Sequence, residues 1–532
     1  MEEGAGKSFF VRESTGLTKE LSAKDALIGN LTSMGLTYIF VYAFFSSLLF
    51  PGVNLPLTVL VGIVPGIVVS LLYSLFSAAM PRTGGDFVWV SRVIHPAAGF
   101  VGNFMLTFAL LSYAVTSAVW AVTYTLSPMF ASLGIIYSDS NLMSLATSLS
   151  SPPTSFIVAA VIFSLATLPL LFSIRRTYRV LLVLVVLSAI GTLALVGSFL
   201  SAPNSTFVSN FNRLSGMDYA KTINMAGLGT GFTISATLLG AVFTVTNFTN
   251  FNNSAYFSSE IKRVSKSQIP SMIGAVLIFG ALAGLVYYSA YYSIGSDFLN
   301  AASSLSGSGN SAYTLPSPPI LNFLVVFASP TPLVVFLSAL AFMATNIANI
   351  TVLGFVVVRN VFAWSFDRIT PSWLTNLDKR GSPYLTVSLI WVIGLVLVGL
   401  FVYTIFAQFL VYLIVISFLI WVFASVAAIF LPYRRKDIFA IAPTMVQRKV
   451  GGVPAITLLG VLGVVLSIFL IYATIQPAVT PLPTGPPLVQ ALAYVLVPFA
   501  AIIALIIYAI AYIYHKRKGI DMRLGFKELP PE

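Results

Sequence analysis

Residues 180–199 read VLLVLVVLSAIGTLALVGSF and contain no charged side chain. A helix of about 20 such residues crosses the hydrocarbon core of a bilayer, which is about 30 Å thick. Similar uncharged runs occupy residues 453–473 and 494–514. The short alternating segments that are typical of a membrane β-barrel are not seen. We therefore predict an all-α integral membrane protein.

The composition of the whole chain agrees with this prediction. Of 532 residues, 58% are hydrophobic and 8% are Asp, Glu, Lys or Arg, whereas soluble proteins carry about 25% charged residues. The chain has no Cys and only two His, so we expect no disulfide, no metal site and no bound cofactor. An enzyme would need clustered acidic, His or Cys residues at membrane depth, and a channel would need charge rings or a repeated filter motif. Neither pattern is present.

Hydrophobic runs between Pro, Gly and charged residues predict about twelve transmembrane helices. Their expected bounds are 26–50, 56–79, 98–128, 155–174, 179–201, 228–257, 268–294, 331–362, 385–403, 405–431, 453–475 and 490–514. Residues 1–25 and 515–532 are then cytoplasmic tails. Residues 26–431 form a transport core of ten helices, and residues 453–514 add two more.

The basic residues set the orientation. With the N-terminus inside, every Lys and Arg except Arg213 and Lys221 falls on the inner side, as the positive-inside rule requires. We expect a multi-pass protein of the cytoplasmic membrane with both termini in the cytoplasm. The net charge of +12 is then explained by the anionic inner leaflet and not by nucleic acid. The outer segments 129–154, 202–227 and 295–330 are polar, and we predict solvated connectors there. The oligomeric state stays open between monomer and homodimer.

Two predicted helices contain polar interruptions, GNLTSMG at residues 29–35 of helix 1 and TVTNFTNFNN at residues 244–253 of helix 6. Irregular backbone at membrane depth is tolerated only inside protein or beside a cavity. Helices 1 and 6 open successive units, 1–5 and 6–10, which is the spacing of a 5+5 inverted repeat with a substrate site at its breaks. Close packing of small and polar residues is the alternative interpretation.

Three motifs carry a resemblance to a known family. They are PRTGGDFVWVSR at residues 81–92, the stretch from Asn250 through Glu260 to Pro270, and RNVFAWSFDRITP at residues 359–371. Because the three motifs occur in this order, the chain resembles prokaryotic amino acid–polyamine–organocation transporters, archaeal ones included, over about residues 20–430. It departs at Ser33-Met34-Gly35, where the family usually has Gly-Ser-Gly or Gly-Thr-Gly, and at Asn250, where Gly is usual. The resemblance implies a secondary transporter that moves amino acids by alternating access.

The resemblance also implies a substrate site between the two broken helices. Free N–H groups near Gly35 suit a carboxylate, and free carbonyl groups near Thr246 and Asn247 suit an ammonium group. We expect Phe248 and Phe251 to form one wall. No acidic residue lies centrally in any span, so small neutral or apolar amino acids are the expected substrates. The candidate site residues are Asn30, Thr32, Ser33, Met34, Gly35, Phe108, Tyr113, Thr246, Asn247, Phe248, Thr249, Asn250 and Phe251.

The coupling ion is open between sodium, a proton and none. Helix 5 has no titratable residue within 180–200, which disfavours a proton carrier there. Sodium would find oxygen ligands on helix 8 at Thr345, Asn346 or Asn349, although these residues also suit interhelical hydrogen bonds. A carrier for nucleobases, amines or carboxylates, or an exchanger without ion coupling, is the alternative function.

Residues at the inner helix ends form either an inner gate or a structural motif, namely Arg82, Gly84, Gly85, Asp86, Glu260, Lys262, Arg359, Asp367 and Arg368.

Overall fold

The computed structural model describes residues 19–228, 231–378, 382–476 and 487–527. Within these ranges, eleven helices are long and apolar enough to cross a membrane, and the sixth predicted helix is a shorter apolar one. In chain order, helices 1 to 12 are Ala23–Met34 with Ile39–Leu49, Leu55–Ala79, Pro96–Tyr137, Pro152–Leu171, Ile174–Ser201, Ile234–Phe248, Val264–Ile294, Pro332–Phe366, Tyr384–Tyr403, Ile405–Arg434, Ala455–Thr474 and Pro487–Arg517. The described ends of the chain lie on one face of the bundle, because Leu21 bonds to Glu260, Phe526 packs on Phe87, and Thr83 pairs with Phe257. We call this face the terminal face.

Helix 3 runs past its predicted end at residue 128. A π-helical turn at Val122–Leu126 links Pro96–Ala121 to Ser127–Tyr137. Such a turn absorbs one extra residue per turn without ending the helix, so Pro128 sits in the first turn of the second part and does not terminate the span.

The polar interruptions in helices 1 and 6 are breaks in the helical ladder. Helix 1 stops at Met34, Gly35 adopts a left-handed φ of 70°, and the helix restarts at Ile39. Helix 6 stops at Phe248 and is followed by two short 3₁₀ turns, Asn253–Tyr256 and Ser258–Glu260. Glycine carries no Cβ penalty in the left-handed region, which is why the first break needs so few residues.

Equivalent members of the two predicted five-helix units pack against each other. Helix 2 lies against helix 7, and helix 3 lies against helix 8. Helix 8 also packs along helix 5, and helix 1 along helix 7. Helix 11 packs mainly on helix 10, outside these pairs. Helices 1 and 6 are thereby held at the centre of the bundle.

The prediction of solvated connectors at 129–154, 202–227 and 295–330 is wrong. These segments contain the helices Ser140–Ser150, Asn204–Leu214, Tyr219–Ala226, Ser296–Gly307 and Leu321–Ala328. Phe207 and Phe211 are one helical turn apart and both buried; the Phe211 and Phe298 ring centroids are 4.8 Å apart. A few aromatic residues at helical spacing therefore fold these polar segments into a cap on the face opposite the chain ends.

The terminal face carries short elements. They are the helices Asp86–Val93, Lys436–Ile441, Thr444–Gln447 and Met522–Gly525, the 3₁₀ turn Ser372–Thr375, and a hairpin of Lys449–Val450 and Val453–Pro454.

Candidate functional site

A cavity of about 40 Å³ lies between the two helix breaks at the centre of the bundle. This volume is room for only a few water molecules. Helix 1 contributes Ser33 and Met34, and helix 6 contributes Thr246 and Asn247. The remaining lining residues come from the segments after the breaks and from helices 3 and 8, namely Tyr38, Tyr42, Tyr113, Thr116, Ser117, Trp120, Thr249, Asn250 and Asn349. Among these described residues none is charged.

The break in helix 1 leaves donors between the cavity residues Met34 and Tyr38. The Gly35 N–H donates to the Thr32 carbonyl, and the Tyr38 N–H donates to the Gly35 carbonyl. Within the described residues, no acceptor meets the N–H groups of Leu36 and Thr37, and the buried Thr37 hydroxyl has no partner. These are orphan donors of a helix N-terminus, which favour an anionic group.

The break in helix 6 supplies acceptors. The Thr246 carbonyl accepts from the Thr249 N–H, and the Phe248 carbonyl accepts from the Phe251 N–H. Among the described donors, none reaches the Asn247 carbonyl, and the buried Asn247 side-chain nitrogen has no partner either. The Ser33 hydroxyl donates to the Asn250 carbonyl at 2.7 Å, so the two breaks are directly joined.

Three aromatic residues that the sequence did not single out cover the cavity on its far side from the chain ends. The Tyr38 hydroxyl and the Ser117 hydroxyl are 2.6 Å apart. The Trp120 ring meets the Tyr38 ring edge-on at 5.5 Å and lies 6.0 Å from the Tyr42 ring. Tyr38 and Tyr42 follow the helix 1 break at helical spacing, and that spacing is the signal that could have found them.

Several predicted residues lie elsewhere. The expectation that Phe248 and Phe251 form the cavity wall is not met, because Phe248 packs on Phe279 of helix 7 and Phe251 packs on Trp421 of helix 10. Asn30 bonds to Ser254. The Thr32 hydroxyl donates to its own helix at Ile28. Gly35 and Phe108 also do not line the cavity.

The helix 8 candidates for an ion site make interhelical hydrogen bonds, the alternative that the sequence left open. The Thr345 hydroxyl donates to Ser188 of helix 5 at 3.0 Å. The Asn349 amide donates to the Ser33 carbonyl at 3.0 Å, and its oxygen accepts from Ser117. The Asn346 amide donates to Phe342 and Thr125, while its buried oxygen has no partner among the described residues. A sodium site here stays a prediction.

Two buried ion pairs close the structure toward the terminal face. Arg359 of helix 8 forms two hydrogen bonds with Glu260, at 2.7 and 2.9 Å. Arg92 donates to Asp367 at the end of helix 8 at 2.7 Å. Removal of one partner from such a buried pair destabilises the fold strongly, although the intact pair adds little net stability.

The Pro-Arg-Thr-Gly-Gly motif shapes the same region. Gly84 has a φ of 101°, and a Cβ there would lie 2.7 Å from Ala363; Gly85 has a φ of 51° and lies against the Tyr256 ring. Arg82 bonds to the Pro81 carbonyl, and the Lys262 N–H bonds to the Leu21 carbonyl. Arg368 follows Asp367 with a left-handed φ of 63°.

Asp86 belongs to neither of these two ion pairs. It accepts hydrogen bonds from Tyr256 at 2.6 Å, Asn103 at 2.8 Å and Tyr73 at 3.4 Å. Burial raises the pKa of Asp86 from its ordinary value to about 6, against the opposing effect of these hydrogen bonds. Tyr73 and Tyr256 also line a second cavity of about 10 Å³, which shares Thr249 and Asn250 with the central one.

Among the described residues, no group of three or more acidic, His or Cys side chains is placed to hold a metal ion.

Comparison with curated proteins found no match. The family model of the amino acid permeases matches residues 22–500, which include both breaks, the cavity and both ion pairs. The chain belongs to the amino acid permease family, and it is a membrane transporter of amino acids.

Proposed function

We propose that this permease carries small neutral or apolar amino acids by alternating access across the cytoplasmic membrane. One observation carries the proposal: the cavity lies between a helix 1 break and a helix 6 break that leave main-chain N–H groups and a carbonyl without partners among the described residues, and no charged residue lines it. A zwitterion fits such a site because each of its charges meets a partial charge of opposite sign.

The size and lining of the cavity support the substrate class. At about 40 Å³ it leaves little room, and Tyr42 and Trp120 present ring surface where a side chain would lie. A cationic side chain would be buried without a carboxylate, which costs several kcal/mol. A large side chain would require the aromatic cover to open.

Barriers on both sides of the cavity support alternating access. The aromatic cover of Tyr38, Tyr42 and Trp120 closes one side, and the pairs Glu260–Arg359 and Arg92–Asp367 close the other. Breaking one barrier while the other holds would expose the cavity to one side at a time.

For orientation we propose that the terminal face is cytoplasmic, in line with the distribution of basic residues. Cysteine labelling tests this directly in the Cys-free chain. A cysteine at exposed Ser308 should react with an impermeant reagent added outside, and one at exposed Lys266 should react only in opened membranes. The reverse pattern would overturn the orientation.

The proposed substrate class is tested by uptake of labelled amino acids into proteoliposomes, with and without sodium and proton gradients. Alanine and similar small substrates should be taken up and should compete with one another, whereas lysine, arginine, nucleobases and polyamines should not. Asn247→Leu should abolish this uptake, and Leu184→Ile in helix 5 should not change it. Uptake of a cationic amino acid or a nucleobase in preference to alanine would refute the proposal.

A further inference from the structure

A third and larger cavity lies on the terminal face, away from the central site. It has a volume of about 780 Å³ and lies between the end of helix 8, the turn Ser372–Thr375 and the last turns of helix 12. Pockets for drug-sized ligands span about 300–1,000 Å³. None of its lining residues belongs to the central cavity.

Basic groups converge on this cavity from two helices. Arg368 lies just beyond the end of helix 8, and His515 and Lys518 lie at the end of helix 12. No acidic residue is found among the described residues that line it. Arg368 and Lys518 both bring positive charge to this one cavity, which favours a ligand that carries negative charge.

Two of these groups have hydrogen-bonding capacity left. The Lys518 ammonium donates to the Tyr514 hydroxyl at 2.6 Å and lies 4.5 Å from the centre of that ring. An ammonium has three donors, so two are left for a ligand. The buried Nδ1 of His515 has no partner among the described residues. A buried polar atom without a partner is costly, and a bound ligand would remove that cost.

Most of the remaining wall of the cavity is apolar, apart from Ser365, Thr370 and Ser372, and it includes exposed side chains. Ile510 is 62% exposed, Tyr514 53% and Trp373 48%. Trp and Tyr are enriched where a protein meets the headgroup region of a bilayer. A soluble anion would use the basic groups alone, whereas a lipid would also cover the apolar wall with its acyl chains.

We propose that this cavity binds the headgroup of an anionic phospholipid from the leaflet at the terminal face. The phosphate contacts Arg368 and Lys518, a headgroup hydroxyl donates to the His515 Nδ1, and the acyl chains lie along helix 12. Basic pockets between membrane helices recognise anionic headgroups in this way.

Trp373 provides a local probe. The full-length protein is reconstituted in vesicles that contain either brominated phosphatidylglycerol or brominated phosphatidylcholine, and the quenching of Trp373 is taken as the difference between the wild type and Trp373→Phe. We expect phosphatidylglycerol to quench with about fivefold or greater preference. Equal quenching by both lipids would overturn the proposal.

Charge variants show whether the named residues cause the preference. Glycine suits the left-handed backbone at position 368. The double variant Arg368→Gly/Lys518→Gln should abolish the preference for phosphatidylglycerol. Lys518→Gln alone, at an exposed position, should reduce it. The control Lys516→Gln/Arg517→Gln also removes two positive charges, but from positions at the end of helix 12 that do not line the cavity. This control should keep the preference. A preference that survives the first pair, or is lost in the control, contradicts the assignment.

Inorganic phosphate in excess at constant ionic strength separates a lipid site from a general phosphate site. The preference should persist in its presence. Its loss would mean that the cavity takes free phosphate, and the lipid assignment would be wrong. Because quenching requires no transport, this result is independent of the proposed substrate.

Discussion

The breaks in helices 1 and 6 face the same cavity but are built differently. The helix 1 break spans only Gly35 to Tyr38 and depends on the left-handed backbone of one glycine. The segment after helix 6 runs from residue 249 to residue 263 and is held by side chains of other helices. Asn30, Asp86 and Arg359 bond to its residues Ser254, Tyr256 and Glu260. A break fixed by its own backbone suits a rigid binding element, whereas one held by replaceable partners suits a moving element.

The largest expected effect is at the rigid break. Gly35→Leu should reduce amino acid uptake by about 100-fold or more, because a side chain at a φ of 70° is strained and would collide with the Tyr38 ring. Uptake into proteoliposomes at matched protein content measures this, with Leu184→Ile as the control. Uptake at the wild-type rate would show that the binding donors lie elsewhere.

The next effect is on the segment after helix 6. Arg359→Leu leaves the Glu260 carboxylate buried and unpaired, and we expect a loss of about 3–5 kcal/mol in the free energy of unfolding. Thermal unfolding in detergent reports it as a lower Tm. The double variant Glu260→Gln/Arg359→Leu removes the unpaired charge and should recover part of the loss. Equal losses in both variants would contradict this account.

A smaller effect concerns pH. Because burial raises the pKa of Asp86 to about 6, the folded protein binds this proton more tightly than the unfolded chain does. The protonated Asp86 therefore contributes its whole stabilisation of the folded state below the unfolded pKa of about 4. This contribution, up to about 3 kcal/mol, is lost as the pH rises through about 6.

The variant Asp86→Asn isolates the pH-dependent contribution of this carboxyl to stability. The difference in Tm between pH 4 and pH 7 should be smaller in Asp86→Asn than in the wild type, since the Asn side chain does not titrate. The same pH dependence in both proteins would show that other groups cause it.

The smallest expected effect concerns the coupling ion, which we propose is sodium. Thr345→Val and Asn349→Leu should remove any acceleration of uptake by sodium, because each loses an oxygen that could bind the ion. Uptake is compared in sodium and choline buffers. Unchanged sodium dependence would rule out these ligands, and acceleration by an inward proton gradient without sodium would make Glu260 the next residue to test.

The sequence predicted eleven spans well because each contains an apolar run long enough for a bilayer, whereas the sixth helix is shorter than predicted. It predicted the positions of both breaks, since Gly35 and the Asn-Thr run after Val245 disfavour a regular helix. It missed the cap on the opposite face, where buried Phe207, Phe211 and Phe298 are diluted among polar residues. Hydropathy averages over a window, so isolated buried aromatics in a polar segment give little signal.

The side-chain wall of the cavity was not predictable for a different reason. Which of 42 Phe and 23 Tyr faces the cavity depends on the rotation of each helix. Helix 6 continues through Phe248, which turns that ring toward helices 2 and 7. Main-chain groups at a break can be located from the sequence, but a rotation set by tertiary packing cannot.

Helix 8 holds one partner of each buried ion pair, with Arg359 and Asp367 eight residues, about 12 Å, apart along its axis. A straight helix transmits any displacement along its length. A shift of helix 8 that separates one pair should therefore strain the other, and we expect both pairs to break in one cooperative event. We expect the opening of the terminal face to behave as a two-state switch with a steep temperature dependence, not as a gradual widening. Single-molecule distance measurements across this face would then show two populations without intermediates.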